Sequence, residues 1–164
     1  MSISRVAVER FSVVSSKPFA KVVASVDAVI GHPNMGELWK RAAAAKSHKE
    51  IEQLIHSALG PSGFMEFARF NHGQFIEREQ GEGAPKILRL IMGNPLIMKE
   101  MAKHVPDAGS YAPVTVLIDE RTDGVHLTYD LMDSYLASYG NLAALKVARD
   151  LDAKVQAVLE SAAK

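Results

Sequence analysis

The chain has 164 residues, and its 19 basic and 19 acidic side chains cancel, which excludes a global basic footprint for nucleic acid or an anionic membrane. A hydrophobic fraction of 48% beside 23% charged residues excludes a disordered chain. The absence of cysteine excludes disulfides, thiol catalysis, zinc ribbons and iron–sulfur clusters.

The start, Met1 to Arg5, leads into charged Glu9 and Arg10 rather than an apolar leader. No apolar run approaches the roughly 18–20 residues that span a bilayer. The chain is therefore expected to be cytoplasmic, with no membrane partner. Residues 5–14 alternate, with Val6 and Val8 on one side and Phe11 and Val13 on the other, and predict a strand. Ser16 is read as an N-cap, opening an amphipathic helix over 17–30 that stops at Gly31. A short helix follows at 35–45 with Leu38 and the only tryptophan, Trp39. Ser47-His48-Lys49-Glu50 has the form of a capping box and opens a helix ended by Gly60-Pro61. Residues 34–61 thus read as a helical insertion.

The aromatic stretch 63–70 predicts a strand, Asn71-His72-Gly73 a turn, and Gln74 to Glu79 a returning hairpin partner. Gly81-Glu82-Gly83 reads as flexible. Lys86 to Met92 is apolar on both sides and predicts a central strand. Asn94 and Pro95 form a helix start, continued by Leu96, Met98 and Met101 to about His104. Val114 to Glu120, Asp123-Gly124 and Val125 to Leu131 form the strongest hairpin signal in the chain. Ala144, Ala148, Leu151, Val155 and Leu159 lie on one stripe of a long C-terminal helix.

No steady strand–helix alternation is present. The expected fold is α+β: one domain over 1–164, a mainly antiparallel sheet with helices packed on one face, and the long C-terminal helix.

In order along the chain stand Phe67-Ala68-Arg69-Phe70-Asn71-His72, then Leu88 to Met92 with Gly93-Asn94-Pro95, then Ala112-Pro113-Val114, then Asp123-Gly124-Val125-His126-Leu127-Thr128-Tyr129-Asp130. This succession resembles the small prokaryotic family of domain of unknown function 302, over roughly residues 5–30 and 62–160. The resemblance implies a fold similar to the TATA-binding-protein-like α+β arrangement and carries no agreed activity. Asn71 stands where the family usually has an aspartate, which removes an aspartate–histidine pair. The insertion at 34–61 is longer than the family's usual connection. A fold alone does not imply a function.

Each candidate site residue has a functional and a structural reading. Asn94 exposes a helix N-terminus that attracts anions, or simply caps it. Arg69 and Arg89, amid apolar strand residues, hold an anionic ligand by bidentate bonds, or pair with Glu66, Asp119 or Glu120. His72 is a general base, or a turn residue with no nucleophile to activate. His48, Glu52 and His56 share a helix face, but their spacing is not that of a zinc helix and they read as solvated. Tyr111, Tyr129, Tyr135 and Tyr139 with Asp130 line a cleft mouth, or pack a corner. Met92, Met98 and Met101 line an adaptable apolar pocket, or are plain core.

No phosphate loop, dinucleotide fingerprint, paired-carboxylate motif or RNA-binding signature is present, so no cofactor, metal or catalytic residue is assigned. The expected function is non-catalytic binding of a small amphipathic or anionic molecule through Arg69, His72, Arg89, Asn94 and Tyr129. The alternative is a homo-oligomeric interaction module, a homodimer through Thr115, His126 and Thr128 or a contact through Trp39. The third is a hydrolase-like enzyme using His72 with Glu77 or Asp119. The expected partners are a small-molecule ligand and a second copy of the chain, without nucleic acid.

Overall fold

The structure is a computed structural model that describes residue 3, residues 5–81 and residues 83–164. Part of the segment read for targeting, and Glu82 of the flexible glycine stretch, lie outside the described residues. The elements are β1 (Arg10–Ser15), α1 (Phe19–Asp27), α2 (Met35–Ala44), α3 (His48–Ala58), β2 (Met65–Asn71), α4 (Gly73–Gln80), β3 (Ile87–Gly93), α5 (Pro95–Ala102), β4 (Val114–Arg121), β5 (Gly124–Asp130), α6 (Met132–Leu136) and α7 (Leu142–Ala163). Short 3-10 turns at Pro106–Ser110 and Ala137–Tyr139 link them. No helix among the described residues is long and apolar enough to cross a membrane.

The five strands form one sheet in the order β1-β5-β4-β3-β2, and every adjacent pair is antiparallel. Because side chains alternate across a strand, the register sorts residues into two faces. Leu90, Val116, Tyr129 and Phe11 form one cross-strand row, and Leu88, Ile118, Leu127 and Val13 form the next. These rows pack under Val22 and Val26 of α1, Met101 of α5 and the stripe Ala148, Leu151, Val155 and Leu159 of α7. The other face carries the row Phe70, Arg89, Leu117, Thr128 and Ser12, with polar residues at most of its positions. The α+β layering with helices on one face is thus observed.

Leu38, Leu54 and Ile55 of the insertion form a small separate core with Met65 of β2. Ser47 Oγ accepts from the Glu50 amide at 3.2 Å, and the Glu50 carboxylate returns to the Lys46 amide at 2.8 Å. This is the capping box, shifted by one residue on its return. Gly31 and Gly60 mark a backbone crossing, where Gly31 bridges Met65 in parallel. A Cβ on Gly31 would stand 2.0 Å from the Ala58 carbonyl oxygen, so closeness of approach, more than helix termination, requires glycine there.

Three expectations are corrected. Residues 74–79 do not return as a strand but form α4. The run is rich in Gln, Glu and Arg, all good helix formers, and Asn71 Oδ1 accepts from the Gln74 amide at 3.3 Å to start it. The first strand starts at Arg10, not residue 5, because its pairing with β5 begins at Arg10 opposite Asp130. Ser16 does not cap α1; Pro18 occupies the N-cap position without a side-chain bond. β3 lies inside the sheet as expected, yet only its Leu88, Leu90 and Met92 side is buried, and Arg89 opposite is exposed.

Candidate functional site

On the uncovered sheet face lies a concavity of about 790 Å³. Its floor is Ser12, Thr128, Leu117, Arg89, Ile91 and Thr115, all from strands. One wall is the segment 109–113, which leads through a cis Ala112–Pro113 bond into β4. Tyr111 stacks on Tyr135 of α6 with ring centres 4.5 Å apart and planes at 15°. Two amphipathic rings therefore line the mouth.

Three arginines reach this concavity, and they differ in what holds them. Arg10 forks onto Asp130 at 2.5 and 2.9 Å. This guanidinium, by hydrogen bonding first and charge second, holds the Asp130 carboxyl below the usual carboxylate range. Arg121 binds Asp119 at 2.5 and 3.2 Å. Arg89 has no carboxylate within ion-pair distance among the described residues, and its one side-chain bond is a long 3.5 Å contact to the Thr115 hydroxyl. It therefore brings a cation to the floor without a matching anion, among the hydroxyls of Ser12, Thr115 and Thr128.

The five residues singled out from sequence lie in different places. Arg69 and Arg89 are on opposite faces, since Arg69 pairs in register with Leu90 and Phe70 with Arg89. Arg69 bonds Asp27 and Glu66, and these carboxylates push its guanidinium pKa further up. His32 joins the same cluster, with Nδ1 at 3.2 Å from Glu66 and Nε2 at 3.0 Å from the Asp27 carbonyl. Asp27, His32 and Glu66 have ligating atoms within 4.8 Å of one another, but the Arg69 guanidinium already occupies both carboxylates with its hydrogen bonds, so a cation would have to displace it.

His72 is exposed in front of α4 and stacks on Phe70 with ring centres 6.1 Å apart. Asn94 spends its side chain on structure: Oδ1 accepts from the Leu96 amide at 2.9 Å and Nδ2 donates to the Gly63 carbonyl at 3.1 Å. Tyr129 is 2% exposed and points to the covered face, where its hydroxyl donates to Asp152 at 2.6 Å. Its neighbour Asp130 points to the concavity. Asp152 also accepts from the Met132 and Asp133 amides at 2.8 and 2.9 Å. Burial raises its carboxyl pKa, opposed by these bonds, and burial raises that of the Tyr129 phenol.

Of the five, only Arg89 brings a charged side chain to the concavity floor. Sequence reading did not pick Arg10, Ser12 or Arg121 for it, although Ser12 and Arg10 share the outward parity of β1. What groups them with Arg89 is the strand order, which sequence parity does not supply. Among the tyrosines expected to bunch, Tyr111 and Tyr135 stack, and the Tyr139 hydroxyl donates to Asp107 at 2.7 Å. On α3, His48 pairs with Glu52 at 3.0 Å.

Comparison with known proteins adds a family and a fold. The crystal structure of an uncharacterized conserved protein DUF302 from Bacillus stearothermophilus superposes with a TM-score of 0.65 at 11% identity, over 93% of this chain and 97% of that one. At that identity the likeness concerns the fold. No curated protein matches the chain. The family model "Domain of unknown function DUF302" matches residues 39–162, from Trp39 through nearly all of α7. That span is well over half of the sequence, and the chain belongs to the DUF302 family.

Proposed function

We propose that the chain is a non-catalytic binding domain for a small anionic or amphipathic molecule, held in the concavity on the uncovered face of the sheet. The observation that carries this reading is Arg89: a guanidinium on the floor of a concavity, without a carboxylate partner among the described residues. A planar guanidinium presents paired donors that match carboxylate and phosphate geometry. The neighbouring hydroxyls add neutral donors, and the Tyr111–Tyr135 stack supplies an apolar side. The volume lies in the range of small-molecule sites, about 300–1,000 Å³.

Thermal unfolding in the presence of small mono- and dicarboxylates and phosphate esters tests the reading. A ligand that binds only the folded chain raises the midpoint by mass action. Arg89→Gln is expected to weaken binding roughly tenfold to a hundredfold, as loss of a charge-assisted hydrogen bond does. An unchanged midpoint with every anion contradicts the proposal, as does an equal rise in Arg89→Gln.

A second reading is a homodimer that covers this same face. The uncovered face leaves Val14 47% and Phe70 46% exposed at the ends of its rows. Light scattering on the purified chain separates the two: a dimer whose ligand sites close on association favours the second copy, and a monomer that binds anions favours the ligand.

A further inference from the structure

A second, apolar crevice of about 200 Å³ lies beside the concavity, between α5, Trp39 of α2 and Phe67 of β2. Ala112, Pro113 and Val114 border both spaces, so the chain segment that walls the polar concavity also walls the crevice. We propose that the crevice is the tail subsite of the same site, taking the hydrocarbon end of an amphipathic carboxylate whose head sits on Arg89. This rests on the anion reading above and adds the chemical class of the ligand.

Gly93 borders the crevice, where a side chain would crowd its walls. A Cβ there would meet the Pro113 Cβ at 3.2 Å and Phe67 Cε2 at 3.7 Å. Its other walls include Met98 and Met101, unbranched thioethers that adapt to irregular shapes. The amide of Asn94, at its edge, is already bonded to Leu96 and Gly63. Apart from the Trp39 indole, no free polar side chain among the described residues lines it, so it offers nothing to hold an anion and little to hold water. Apolar cavities of about 150 Å³ stay dry and accept a benzene ring; this one suits a ring or a short alkyl chain. The head chemistry and the tail chemistry therefore lie on the two sides of Pro113.

Trp39 is the only tryptophan of the chain. It is 45% exposed at the crevice, with its ring 6.1 Å from that of Phe67. It reports on the crevice and not on the sheet floor.

The test is a titration of the whole chain with straight-chain monocarboxylates from butanoate to decanoate, alongside alkanols of equal length, read by Trp39 fluorescence and calorimetry. Each methylene is expected to tighten binding about fourfold, since burying one contributes about 0.8 kcal/mol. The gain levels off once the crevice is filled, and Trp39 emission shifts with binding. Arg89→Gln weakens every carboxylate by one common factor and leaves the chain-length slope intact. Met98→Ala widens the crevice and moves the plateau to longer chains. Carboxylates that bind through Arg89 with no chain-length slope and no Trp39 response overturn the tail subsite and leave the anion reading standing. Alkanols that bind as tightly as carboxylates, with no effect of Arg89→Gln, overturn the head-and-tail assignment and the anion reading together, and so does an absence of binding by both series.

Discussion

Tyr129 and Asp130 are sequence neighbours with opposite tasks. Strand alternation sends the phenol to Asp152 in the core and the carboxylate to Arg10 on the open face. The two carboxylates respond to acid in opposite senses. Asp152, whose carboxyl is raised by burial, binds its proton more readily folded than unfolded, so its contribution favours the fold below the ordinary carboxylate pKa and fades as pH rises through its folded value. Asp130, lowered by Arg10, does the reverse: its contribution is present above the ordinary carboxylate pKa of about 3.9 and is lost as pH falls through its lower folded value. Arg10 is 64% exposed, so screening keeps the pair at or below about 1 kcal/mol. Urea unfolding of wild type and Asp130→Asn across pH 2–7 is expected to show a small wild-type advantage near neutrality that vanishes in acid; an advantage independent of pH contradicts the assignment. Part of this was legible in the sequence. Asp152 falls on the apolar stripe between Ala148 and Val155, and a carboxylate there needs buried donors. Which donors meet it depends on where α6 docks, which no local pattern encodes.

Among the elements, the helical insertion hangs on one backbone crossing. Gly31 and Gly60 approach so closely that a Cβ on Gly60 would stand 2.3 Å from the Ile30 carbonyl carbon. The clashing atoms are backbone and have little room to yield. Gly31→Ala is expected to cost about 1–3 kcal/mol or more by overpacking, whereas Gly109→Ala, with nothing within 4 Å of the added atom, is expected to stay within about 0.5 kcal/mol. Chemical denaturation of the two variants checks this, and equal stability of both contradicts the crossing as a packing constraint. The Ser47–Glu50 capping box, the Asp123-Gly124 hairpin and α7 were readable because their signals are local. α4 was misread because a turn cluster after a strand suits a hairpin and a helix equally, and the Gln-Glu-Arg composition of 74–80 then decided for the helix. The glycines of the crossing looked like helix ends because their true partner lies tens of residues away in sequence.

For the whole molecule, the two faces of the sheet divide the work. α1, α5 and α7 cover one face and bury its rows of Leu, Val, Ile and Tyr. The other face is left as a polar floor with Arg89 on it. The alternation in Val114 to Asp119 and Val125 to Asp130 made this layering legible. The site was not legible to the same degree, because it depends on the order β1-β5-β4-β3-β2. That order brings Arg10 and Arg89 to one concavity from strands more than seventy residues apart, and the register sets Arg69 on the opposite face. The most direct measurement of the central claim is amide and indole chemical-shift mapping of the labelled chain during an octanoate titration. The account predicts saturable shifts at Ser12, Arg89, Thr115, Thr128 and the 109–114 segment from the head and at Gly93, Met98, Met101 and the Trp39 indole from the tail. Shifts confined to the helical face, or none at saturating ligand, would contradict it.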